Sequence, residues 1–240
     1  MIALTFVLYI LSAVLSIASA FRRDKRLETA ALVGAVLAVI VQTVIILLFY
    51  VKSGVFPVFS LKYAVFTFAW SLAVGAIFVS LIFRDTRSII GFSTPLIIVL
   101  LVVFLLLKGG AGEPTQALPG YPAIFTMDIF PVHVLLALIS YGLFALSFVA
   151  SVMYLIQEAS LKHKRIAGVT KWLPSLFILD DLEYKTLTIG LPFLTLGIIT
   201  GSLWAESIYG TYWRWDPKET WSLIIWLLYV FMLHGRISLG

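Results

Sequence analysis

The chain alternates long apolar runs with short polar or charged interruptions. An α-helix needs about 20 apolar residues to cross a hydrocarbon core of roughly 30 Å, and cutting the chain at its charge clusters leaves runs of that length. Seven result, near 2–20, 29–50, 61–83, 89–107, 132–157, 187–204 and 220–235. This predicts an all-α fold: a polytopic transmembrane helix bundle, one domain over 1–240, without internal repeats or a separate soluble domain. The first run could also be a signal peptide. Its charges, Arg22, Arg23, Lys25 and Arg26, follow the apolar stretch instead of preceding it, so we read it as a retained helix.

The connections differ in what they could hold. Residues 21–28, 51–60 and 84–88 are too short for chemistry and read as turns. The stretch 108–131 is rich in Gly and Pro, as a solvated outer loop should be, and delivers His133 to the first turn of the fifth helix. The stretch 158–186 mixes basic residues with LPSLFILDDLEY, whose apolar and acidic sides suggest an inner loop lying on the membrane surface or covering the bundle's inner end.

Composition agrees with the pattern: 61% of residues are apolar and 12% charged, where soluble domains carry roughly a quarter. With the N-terminus outside, twelve Lys and Arg fall on the inner side and five outside, the positive-inside asymmetry. The net charge of +5 therefore reports topology and implies no nucleic acid. The C-terminus is then inside. Cysteine is absent, so any thiol chemistry must come from a partner. Apart from His234, no clearly ionisable side chain sits in the interior of the runs, Lys62 and His133 lying at their ends, which argues against an ion-coupled transporter.

Five of the seven tryptophans, Trp204, Trp213, Trp215, Trp221 and Trp226, lie between 204 and 226. An aromatic belt would spread over all helix ends, so the cluster favours a shelf for a flat apolar ligand. Within it, Asp216, Pro217 and Glu219 match N-cap, N1 and N3 of a capping box, which makes the two acids structural. Arg214 and Lys218 are the exposed cations nearest the shelf, suited to ligand carboxylates.

There are three histidines. His163 sits among Lys162, Lys164 and Arg165 and reads as part of a solvated basic loop. His133, in a helix's first turn, is either an interfacial polar residue or a neutral imidazole suited to ligating iron. His234 lies 13 residues beyond Trp221 on one helix, about 20 Å deeper, too far for one loop-bound macrocycle to reach. It marks either a second, inner site or a helix-end residue facing lipid headgroups.

The run Trp204-Ala205, then Tyr209-Gly210-Thr211-Tyr212-Trp213-Arg214-Trp215-Asp216-Pro217-Lys218-Glu219-Thr220-Trp221, resembles the tryptophan-rich "WWD" signature of the CcsA/ResC-like branch of cytochrome c assembly proteins. Leu233-His234-Gly235-Arg236 resembles the family's segment ending the next helix, and Pro131-Val132-His133 through Ser140-Tyr141 its outer histidine helix. Tyr209 stands where the family usually has Trp.

The resemblance implies haem b as substrate or transported ligand, carried from the inner side to an outer WWD site. There it would be presented for thioether attachment to the Cys-x-x-Cys-His motif of apocytochrome c. His133 and His234 become the expected iron ligands, and Trp204, Tyr209, Tyr212, Trp213, Arg214, Trp215, Asp216, Lys218 and Trp221 the haem-binding loop. A ResB/CcsB-like partner, a thiol-reducing protein and a bilayer, bacterial cytoplasmic or thylakoid, complete the setting. A catalytic side chain is not assigned, since orienting reduced reactants is a sufficient contribution to a holocytochrome c synthase. The alternative is a haem chaperone or haem-binding subunit of another membrane complex. The family has a further outer histidine on a helix beyond the segment equivalent to 235–240, whereas this chain stops at Gly240. The odd number of spans fits a missing eighth helix; a partner-supplied ligand or a single outer histidine are the other readings.

Overall fold

The computed structural model describes residues 1–53, 56–58, 60–82, 86–107, 129–164 and 172–239. Among these residues are seven helices: α1 (Ile2–Arg22), α2 (Lys25–Ser53), α3 (Leu61–Ile82), α4 (Ser88–Leu106), α5 (Ile129–Lys162), α6 (Leu176–Tyr209) and α7 (Pro217–Leu239). All seven are long and apolar enough to cross a membrane, and the described residues include no strand. The chain is an all-α membrane protein. The predicted outer loop 108–131 falls outside the described residues as far as 128.

Backbone self-satisfaction explains why long helices are the elements, because hydrocarbon offers unpaired N–H and C=O groups no partner. Small and hydroxylic residues then let the helices approach. On α1, Ser12 donates to the Ala31 carbonyl of α2 at 2.7 Å and packs beside Gly34. Buried Tyr9 donates to Gln42 Oε1 at 2.9 Å, and Gln42 Nε2 donates to the Phe66 carbonyl at 2.9 Å, so one polar thread ties α1, α2 and α3.

Helices α1 to α4 pack among themselves, α5 lies against α3 and α4, α6 pairs extensively with α5, and α7 packs on α6. None of α7's membrane-length window is buried within the chain. At 34 residues each, α5 and α6 are about 51 Å long and extend well past the hydrocarbon core.

The structure revises the reading of 158–186. The acidic stretch is not a separate surface segment but the first turns of α6. Ser175 caps it, its Oγ accepting from the Ile178 N–H at 3.4 Å, and Asp181 pairs with Lys185 one turn on at 2.7 Å. Asp180 holds Arg236 of α7. Covering this basic end falls to Trp172, which stacks on Phe92 at 5.9 Å and donates to Glu28 Oε1 at 3.1 Å.

Candidate functional site: an aromatic chamber at one end of the bundle

The tryptophan segment is less of a loop than the spacing predicts. Trp204 belongs to the last turns of α6 and Trp221 to the first turns of α7, which leaves 210–216 as the connection. Gly210 ends α6 with a φ of 70°, its N–H donating to the Glu206 carbonyl at 2.9 Å. Glycine suits this left-handed position because no Cβ meets the backbone.

Asp216 caps α7 through Oδ1, which accepts the Glu219 N–H at 2.9 Å. The reciprocal arm differs from the expected capping box. Glu219 Oε2 accepts the backbone N–H of Arg214, at 2.6 Å. Trp215 has a φ of 60°, and this left-handed residue turns the chain so that the N–H of Arg214 faces the helix start.

Arg214 is occupied within the segment. Its guanidinium donates to Asp216 Oδ2 at 2.7 Å, lies 3.6 Å from Glu219 Oε1, and stacks 3.6 Å above the Tyr209 ring. Lys218 makes no ion pair among the described residues and is the cation left at the rim.

These groups line a half-open chamber of about 820 Å³ between α3, α5, α6, the 210–216 connection and α7. That lies within the roughly 300–1,000 Å³ typical of small-molecule sites. Nine predicted site residues line it: His133, Trp204, Tyr209, Tyr212, Trp213, Arg214, Asp216, Lys218 and Trp221. Trp215 does not; its exposed indole meets Trp213 edge to face at 5.9 Å. Trp213 Nε1 is buried without a hydrogen-bond partner, and Trp204 is braced by Phe130 at 5.2 Å.

His133 is the fifth residue of α5, one turn deeper than expected, and half-buried on the chamber wall. Its Nδ1 lies 2.8 Å from the Gly197 carbonyl of α6. A carbonyl only accepts, so Nδ1 carries the proton and Nε2 keeps its lone pair. His234 is far from this site. It is exposed on α7, lines neither cavity, and has Ser238 Oγ 3.5 Å from Nε2.

A second cavity, about 690 Å³, continues toward the basic end and shares Phe68, Tyr141 and Ile225 with the chamber. Its lining is almost wholly apolar, with Glu183 its one acidic residue and Phe144 stacked on Tyr229 at 3.8 Å.

The model of the family described as "Cytochrome C assembly protein" matches residues 1–240. The chain belongs to this family. A relative from Guillardia theta, "Cytochrome c biogenesis protein CcsA", is 32% identical over 220 residues, covering 85% of this chain and 72% of the relative. The protein of that name from Chlamydomonas reinhardtii is 40% identical over 130 residues, 53% of this chain and 35% of its own length. That from Synechococcus sp. (strain CC9311) is 56% identical over 63 residues, 26% of this chain and 21% of its own length. Membership places the chain in cytochrome c assembly, a process that handles haem.

Sequence reasoning gave no site role to Gly197 and Gly201, which meet His133, or to Phe68, Tyr141 and Ile225, which line both cavities. The Gly197-x-x-x-Gly201 spacing, a small-residue helix contact, was the readable signal for the first pair.

Proposed function

We propose that the chamber receives haem b and presents it for thioether attachment to the Cys-x-x-Cys-His motif of apocytochrome c. The observation that carries this is His133: Nδ1 is anchored on Gly197 and Nε2 is left as a free ligand nitrogen in a chamber walled by Trp204, Trp213 and Trp221. The donor set fits the group. An anchored neutral imidazole suits haem iron, indole faces suit the macrocycle, and Lys218 suits a propionate. Bound haem would supply the vinyl groups, each of which takes up a thiol S–H across its double bond.

This chain's residues hold and orient; the thiols belong to apocytochrome c and are kept reduced by a thiol-reducing protein. The chamber end faces the periplasmic or lumenal side of a bacterial cytoplasmic or thylakoid membrane, an orientation supported by the basic residues gathered at the opposite end. Haem travels from the inner side. The second cavity supports such a passage because it extends the chamber toward the basic end. Exposed His234 is a second, inner iron ligand, completed by a histidine of a ResB/CcsB-like partner.

The test is the absorption spectrum of the detergent-purified chain, alone and with that partner, for wild type, His133→Ala and His234→Ala. A Soret band and reduced α band that each substitution diminishes separately, and that added imidazole restores, support two haem positions. Protein free of haem in every preparation overturns the reading.

A further inference from the structure

Antiparallel packing of α5 and α6 sets Ala137 opposite Gly197 and His133 opposite Gly201. The two glycines do different work. A Cβ at Gly197 would sit 3.6 Å from the Ala137 backbone nitrogen, an ordinary contact. A Cβ at Gly201 would lie 2.7 Å from His133 Cε1, 2.8 Å from Nδ1 and 3.4 Å from Nε2, and these imidazole atoms are its three nearest neighbours. The space at 201 is therefore kept for the ring, whereas helix contact alone would have left backbone there. At 197 the carbonyl is what matters: it accepts from Nδ1 at 2.8 Å and from Thr200 Oγ1 at 3.1 Å.

We propose that Gly197 and Gly201 form a seat on α6 that fixes the orientation and tautomer of His133, which makes them positioning residues for the iron ligand. The inference rests on the reading of His133 given above. Alanine at 201 must push the imidazole aside by rotation about its side-chain bonds. The ring then leaves the Gly197 carbonyl, Nδ1–H loses its acceptor, and Nε2 no longer points where the seat held it. A hydrogen bond to a carbonyl also raises imidazole basicity, which favours ferric over ferrous haem. Loss of the seat thus weakens ligation and raises the haem reduction potential.

The experiment uses the full chain in detergent, first without haem. With ¹⁵N-labelled histidine, wild type shows a neutral Nδ1–H imidazole signal that His133→Ala lacks, and Gly201→Ala loses or shifts it. Gly235→Ala, where a Cβ meets nothing within 4 Å, leaves it in place. With haem added, Gly201→Ala weakens binding at least about tenfold, the lower range for lost second-shell support, and raises the midpoint potential. In a His133→Gly background without added imidazole, Gly201→Ala has no further effect on the residual haem spectrum or the thermal midpoint, because the ring it displaced is gone.

An unchanged ¹⁵N signal and potential in Gly201→Ala overturns the proposal. So does an additional haem defect from Gly201→Ala in the His133→Gly background without imidazole, since the added methyl would then obstruct the ligand directly. Wild type that takes up no haem, while Gly201→Ala still alters the ¹⁵N signal, overturns the haem reading and leaves the seat standing.

Discussion

In the proposed role His133 cannot serve iron and the Gly197 carbonyl with the same nitrogen; Nδ1 is committed to the carbonyl, which leaves Nε2 for the iron. The tryptophans divide theirs as well. Trp213 lines the chamber with its indole N–H unpartnered, whereas Trp215 is turned outward at a backbone angle unfavourable for a bulky residue. Trp213→Ala should therefore weaken haem retention about tenfold, the scale of losing one good aromatic contact, and Trp215→Ala far less; equal losses in a spectroscopic titration would contradict this placement. The two cations separate in the same way. Lys218→Ala should cost a few-fold in haem affinity, the modest scale of an exposed ion pair, and the difference should shrink at high salt. Arg214→Ala removes contacts with Tyr209, Asp216 and Glu219, so its signature is faster protease cleavage within 210–216.

The start of α7 is the element on which the chamber depends. Asp216 satisfies an N–H that would otherwise be orphaned, and Glu219 ties the preceding turn through the N–H of Arg214. Asp216→Ala should destabilise the helix start by about 1 kcal/mol; Asp216→Asn, which keeps an accepting oxygen, should recover most of it. Hydrogen exchange at the amides of 218–220 reads this directly. The capping signal was legible because it is local, with all its residues inside one turn. The reciprocal arm was not, because it depends on the left-handed turn at Trp215, a conformation that a tryptophan does not announce. The length of α6 was illegible for a related reason. Its first turns carry acids that hydropathy assigns to a loop, yet cap, intrahelical pair and the contact with Arg236 keep them helical.

Across the whole molecule, polar threads hold apolar helices in register. Gln42→Leu leaves the buried Tyr9 hydroxyl without its acceptor and removes an extra hydrogen bond from the Phe66 carbonyl, and should cost about 1–3 kcal/mol, read as a lower thermal midpoint in detergent. At the basic end, a Cβ on Gly91 would overlap the Trp172 ring, so Gly91→Ala should expel that indole from its place on Phe92 and shift its fluorescence to the red. An unchanged emission spectrum would show that Trp172 does not cover this end. The amino-acid order alone determined seven helices, their alternating direction and the aromatic run. Each follows from a local requirement: hydrocarbon demands an internally bonded backbone, charge marks where the membrane-spanning runs end, and caps lie within a turn. Tertiary structure decided which faces meet. Residues facing lipid and residues facing another helix are equally apolar, so hydropathy carries no pairing information. Hence the meeting of His133 with a carbonyl 64 residues away, and the exclusion of His234 from that chamber, emerged only when α5, α6 and α7 were packed.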